Sequence, residues 1–203
     1  MIDYRKAGIS PSCQWPIRKA KFIFANYIKR GTDGAEVLSV SQVKGVYPQN
    51  KLIEETGSRV VLALGGTYNF KQVNKGDFVI SLRSFQGGIE YSKFNGVVSP
   101  AYTVLHPTIK IIDDFYRFLF KSEHFISRIN AATVGIRDGK TIKYEEFAEL
   151  EIPAPPLAEQ IAISSFLDRE TARIDTLIEK KEAQIRLLEE KRQALISHAV
   201  TKG

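Results

Sequence analysis

Apolar and polar positions alternate in short runs through the first half of the chain, and a period of two is the pattern of half-buried strands. Val37 to Val43 is one such run, and Val60 to Leu64 is a short apolar one ending at Gly65-Gly66. Phe78 to Leu82 is a buried run that follows the turn Asn74-Lys75-Gly76-Asp77. Ile89 to Phe94 alternates again, Asn95-Gly96 is a hairpin-turn signal, and Val97 to Leu105 reads as a further strand. Between these, Trp15 to Tyr27 reads as a short helix running into a strand, Lys29 to Gly34 as a basic turn, Gly45 to Asn50 as a turn, and Arg83 to Gly88 as a polar, flexible loop. The period then lengthens: Phe115, Phe118, Leu119, Ile126 and Ile129 mark an amphipathic helix capped by Asp113 or Asp114. Thr133 to Lys140 is a Gly-bounded basic loop, Tyr144 to Ala148 one helical turn, and Leu150 with Ile152 a closing strand. The expected fold class is α+β: a domain over residues 1–152 with about six short, mostly antiparallel strands and one or two helices.

After a Pro-rich hinge at 153–156 the pattern changes a second time. From residue 157 to the end at 203, Leu, Ala, Glu, Lys, Gln and Arg dominate, with no Gly or Pro before Gly203, which predicts one long helix. Pro156 suits its first turn, and Glu159 places negative charge at the positive end of the dipole. Leu167, Ile174, Lys181, Leu188 and Leu195 are spaced by sevens, and so are Thr171, Ile178, Ile185, Arg192 and Ala199, four residues further on. That is the seam of a coiled coil, with Lys181 and Arg192 as polar interruptions that cost stability and fix register. Leu167, Ile174, Ile178, Ile185, Leu188 and Leu195 are therefore the expected helix-pairing interface. A rod with a single apolar stripe calls for a partner helix, from a second copy or another chain.

Charge sharpens this division. The net charge is +6, but residues 1–150 carry about +7 and residues 151–203 about −1. A basic domain on a balanced rod suggests a polyanion for the domain and protein for the rod. Cys13 is the single cysteine, and His106, His124 and His198 lie far apart, so no disulfide and no metal-ligand spacing is available. The chain has no apolar run long enough for a membrane span and no signal-peptide pattern at its start, and it reads as cytoplasmic.

The catalytic motifs sought are absent. There is no phosphate-binding P-loop, no dinucleotide turn, no nucleophile elbow, and no Asn-Pro-Pro-aromatic tetrapeptide of the kind that holds a base for amino-methylation. Asp77 and Glu90 are the nearest carboxylates for metal-dependent cleavage, without a lysine on the same strand, and Asp77 is more simply a turn residue. His124 falls in the amphipathic helix as a half-buried surface residue. The reading is of a chain that catalyses nothing and holds no cofactor.

The run from Ile152 to Gly203 carries Pro-Pro-Leu-Ala-Glu-Gln at its start, Phe-Leu-Asp-Arg-Glu-Thr at 166–171 and Lys-Arg-Gln-Ala-Leu-Ile-Ser at 191–197. In combination these closely resemble the conserved region of the specificity subunits of Type I restriction–modification systems. Upstream, GDFVISLRSFQGGIEYSKFNGVVSPAYTVL and GIRDGKTIKYEEF resemble a target recognition domain of the same family. The resemblance implies that the domain reads half of a gapped target in double-stranded DNA. It also implies that the helix pairs antiparallel with a second such helix as a spacer, and that both help dock a methyltransferase (modification) subunit and a restriction subunit. S-adenosylmethionine, ATP and Mg belong to those partners. Full specificity subunits have two recognition domains and two helices where this sequence has one of each, so both a dimerising half-subunit and one half of a longer subunit stand open. Two other classes compete with this reading: a coiled-coil adaptor without a DNA role, and a stand-alone nuclease or methyltransferase.

On this resemblance, base readers are expected among long polar side chains on loops held by the sheet. Arg83, Ser84 and Gln86 are the first candidates, because Arg pairs with guanine and Gln with adenine, and the neighbouring glycines allow close approach. Tyr68, Asn69, Lys71 and Gln72 form a second polar loop. Arg137, Lys140 and Lys143, with Lys29 and Arg30, are expected phosphate contacts that position without specifying. Ser99-Pro100-Ala101-Tyr102 is taken as structural.

Overall fold

The structure is a computed structural model that describes residues 15–32, 34–57, 69–82, 84–132 and 142–202. It divides into two compact units, Ser12–Gln160 and a second that carries the long helix from Ile161 onward. The fold is mixed helix and antiparallel sheet. Ten short strands are present among the described residues, more than the periodicity predicts, because one expected strand is broken in two and strands also form at 17–19, 45–48 and 71–73, which read as helix, turn and polar loop.

The centre of the domain is a four-stranded antiparallel sheet of β2 (Phe24–Asn26), β9 (Thr103–Pro107), β6 (Phe78–Ile80) and β7 (Glu90–Tyr91), in that order. Three two-stranded ribbons surround it: β1 (Ile17–Lys19) with β10 (Glu151–Pro153), β3 (Leu38–Ser41) with β4 (Gly45–Pro48), and β5 (Lys71–Val73) with β8 (Gly96–Val98). Phe24, Phe78, Tyr116, Phe120 and Phe147 fill the space under the sheet, and none of them is exposed. Phe24 meets Phe78 and Tyr116 edge-on at ring distances of 5.5 and 5.2 Å, and Phe120 meets Phe78 at 5.2 Å. Such pairs add about 0.5–1.5 kcal/mol each beyond burial.

The helices differ from expectation in instructive ways. The turn expected at Gly45 to Asn50 is instead β4 followed by α1 (Gln49–Thr56), and the hairpin turns one step earlier, at 42–44, where Gly45 supplies a left-handed φ of 74°. Arg83 to Gly88 contains a helical turn, α2 (Ser84–Gly87), in place of a flexible loop. The long amphipathic helix is two, α3 (Asp113–Lys121) and α4 (Glu123–Ala132). Ser122 interrupts it in extended conformation, and its Oγ accepts the Phe125 N–H at 3.2 Å, starting the second helix. Neither Asp113 nor Asp114 caps α3. The cap is Ile112, whose N–H is taken by the Gln160 side chain, while Asp113 accepts from Tyr91 and Asp114 pairs with Arg117. The one turn expected at 144 is α5 (Tyr144–Ala148).

The Asn95-Gly96 signal does not close a hairpin. β7 pairs with β6 and β8 with β5, and Gly96 lies where a Cβ would sit 2.4 Å from the Glu36 carbonyl oxygen. Close chain passage, not a left-handed turn, requires glycine there. The strand expected from Val97 to Leu105 breaks at 99–102, where the Tyr102 N–H bonds the Ser99 carbonyl. The last helix, α6 (Leu157–Lys202), starts at the expected residue, and Pro156 stands just ahead of it, its carbonyl accepting the Glu159 and Gln160 N–H groups. Buried Gln160 also donates to the Pro155 carbonyl at 2.8 Å.

Truncating Phe24 to Ala should cost about 3–5 kcal/mol, because the ring touches four other aromatic rings. Urea denaturation of the purified variant measures this, and a loss near 1 kcal/mol would place the core elsewhere.

Candidate nucleic-acid interface

Two of the expected polar groups are brought together. Arg30 bridges Lys71 in antiparallel fashion, Gln72 N–H bonds the Lys29 carbonyl at 2.8 Å, and Gly31 N–H bonds that of Phe70 at 2.9 Å. Lys29 and Arg30 therefore lie beside Asn69, Lys71 and Gln72 on one ribbon, with Lys29, Arg30 and Asn69 exposed. Gln72 is turned locally, its amide donating to Asn74 at 2.9 Å. Lys71 donates to the Tyr102 carbonyl at 2.6 Å, and partial burial lowers its pKa.

Tyr102 also lines a cleft of about 400 Å³, together with Val40, Ser41, Gln42, Leu52, Ser81 and Leu82. It leads to α2. Ser84 is buried there, its Oγ accepting the Ser81 N–H at 2.8 Å, so the hydroxyl shapes the turn from inside. Gln86 is exposed on the same turn. Gly88 ends it at φ 79°, where a Cβ would fall 2.0 Å from the Phe120 carbonyl oxygen; the turn is thus seated directly on the aromatic core. Lys143 is exposed, and its N–H bonds the Glu146 carboxylate at the start of α5. Tyr68, Arg83, Arg137 and Lys140, and the strand expected at Val60 to Leu64, lie outside the described residues.

Both carboxylates considered for cleavage are buried and engaged. Asp77 accepts the Asn74 N–H at 2.7 Å, as a turn residue should, and also meets His106 Nδ1 at 2.6 Å, a pairing the sequence does not announce. Glu90 pairs with Lys121, whose ammonium also donates to the Gly87 carbonyl at 2.9 Å. Burial pushes both carboxyls above their usual pKa, outweighing those partners. His124 is exposed on α4. Among the described residues no group of His, Cys, Asp or Glu could hold a metal ion, and no helix is long and apolar enough to cross a membrane.

On α6 every residue from Thr171 to Thr201 is exposed. Ile174, Ile178, Ile185, Leu188 and Leu195 are each about half exposed or more, and Leu167 is half-buried. At 100° per residue, Leu177 and Ile196 fall on the same stripe, at positions flanking the seam that a strict heptad count passes over.

A family model described as the Type I restriction modification DNA specificity domain matches residues 16–187. The fold is similar to the HsdS subunit of Thermoanaerobacter tengcongensis (TM-score 0.55, 16% identity over 94% of this chain and 46% of that one). It is also similar to the S subunit of a Type I restriction-modification system from M. genitalium (TM-score 0.52, 18% identity, 93% and 47%). A chain from a structure of complex assembly in the type I R-M system aligns with TM-score 0.65 at 15% identity, over 94% and 48%. The chain thus spans just under half the length of these structures. No curated protein matches the sequence.

The Glu90 carboxyl holds its proton more tightly folded than unfolded, so its burial costs stability at neutral pH and that cost fades as pH falls toward the ordinary value of 4.5. Wild type should therefore gain on Glu90→Gln between pH 7 and pH 4.5. Urea midpoints of both proteins at the two pH values measure it, and a gap that stays constant would contradict the assignment.

Proposed function

Because this chain belongs to the family of the Type I restriction modification DNA specificity domain, we propose that it is the DNA-reading, non-catalytic part of such a system and recognises one half of a gapped duplex target. The observation that carries this is the surface formed by α2, the 400 Å³ cleft and the ribbon of Lys29, Arg30, Asn69 and Lys71. There the exposed Lys29, Arg30, Asn69 and Gln86 and the half-buried Lys71 are held on a ribbon and a helical turn in a domain of about +7. Phosphates meet the lysines and Arg30, with Lys143, Arg137 and Lys140 on other segments. Gln86, Arg83, Asn69, Tyr68 and Gln72 are the base-reading set. Ser84, being buried, acts by shaping the turn.

The rod supplies the spacing. Its half-exposed stripe from Ile174 to Leu195 is the surface for a second helix of the same kind, laid antiparallel, from another copy or from another half of the same subunit. Methyltransferase and restriction subunits assemble around this pair and bring S-adenosylmethionine, ATP and Mg with them. The whole works in the cytoplasm, where the DNA is.

Selection of bound duplexes from a random pool, using the chain in complex with its modification subunit, tests the reading function. A gapped motif should be enriched; recovery of unselected sequence would count against the assignment. Pairing of the rod is tested separately by Ile185→Asp. The variant should halve the solution mass of a paired species, and an unchanged mass would remove Ile185 from the interface.

A further inference from the structure

The β3–β4 hairpin is not among the elements expected to touch bases, yet its tip carries Val43 at 91% exposure, the most exposed large apolar side chain among the described residues. A single exposed valine ordinarily means nothing. This one is braced on three sides. Ser41 Oγ accepts the N–H groups of Val43 and Lys44 at 3.3 and 3.2 Å. The Gln42 carbonyl accepts from Lys121 at 3.3 Å, and that same ammonium holds the Gly87 carbonyl. The Gln42 side chain lies on Gly87 so closely that a Cβ there would come within 2.7 Å of its amide. Lys44, meanwhile, is drawn back along the hairpin to Glu55 at 2.7 Å, which leaves Val43 as the foremost group.

The hairpin tip and α2 are thus one joined surface bordering the cleft. We propose that Val43 is a specificity-determining residue whose isopropyl group meets the 5-methyl of a thymine in the major groove. This rests on the DNA-reading assignment above. Thymine is the one base that offers an apolar group in that groove. Val43, even with the exposed Leu82 of the cleft, offers far too little apolar area for a protein interface, which needs about 1,000 Å². Gln42 and Lys121 are positioning residues, acting through the tip.

The test uses the complex with the modification subunit and the motif found for the wild type. Each thymine of that motif is replaced in turn by deoxyuracil, which removes only the methyl group. Wild type should lose about three- to fivefold in affinity at one position, while Val43→Ala binds thymine and uracil alike there. Gly87→Ala, which displaces Gln42, should weaken the same discrimination while leaving that at other thymines unchanged. A motif without thymine, or full discrimination retained by Val43→Ala, overturns the proposal. Loss of co-purification with the modification subunit in Val43→Ala, with uracil sensitivity intact, would make the tip a protein contact instead. Absence of any wild-type motif defeats the DNA-reading assignment itself and this inference with it.

Discussion

The packing of Phe24 and Phe120 against their aromatic neighbours is the constraint on which the rest of the domain depends. Phe24 ties β2 to β6, α3 and α5 through Phe78, Tyr116 and Phe147. Phe120, in the last turn of α3, belongs to the same cluster, and its carbonyl is the surface on which Gly88 rests. The surface turn α2 is therefore positioned by core packing within a few residues. Lys121, next in the chain, carries that fixity outward to Gly87, Glu90 and the carbonyl of Gln42. A small domain with short strands has little regular sheet to rigidify its surface. Here one aromatic layer and one ammonium group do so.

What the chain pattern reveals is uneven for physical reasons. The buried run at Phe78, the turn at Asn74–Asp77 and the long helix are legible because each has a strong local cause: apolar burial, turn chemistry, or unbroken helix formers with a heptad period. Gly96 and Ser122 mislead for different reasons, one a distant contact and the other a local cap inside a continuous apolar period. Asn95-Gly96 has the composition of a turn, but its glycine serves a chain passing at Glu36. Ser122 splits an otherwise continuous helical period by capping the second half. α1 is hidden because Gln49-Asn50 looks like turn chemistry when the preceding proline is taken as a breaker.

The same distinction governs the site. Residue type and loop position suffice to nominate Gln86, Asn69 and the basic pairs, and β5 joins Lys71 to Arg30 without any signal in either segment alone. Ser84 illustrates the opposite limit. A serine in a polar loop reads as a surface hydroxyl until tertiary structure closes over it. His106 with Asp77, 29 positions apart, is a contact that only the β6–β9 pairing creates. The rod is the most legible element of all, since unbroken helix formers predict the helix and the heptad period predicts the apolar stripe that lies exposed along it from Thr171.

Mapping methylated adenines across host DNA, with this chain co-expressed beside its modification subunit, tests the central claim most directly. Modification confined to a gapped motif, abolished when this chain is omitted, is the result that a DNA-specifying subunit with a spacer helix predicts. Methylation that is unchanged by omitting the chain would contradict it.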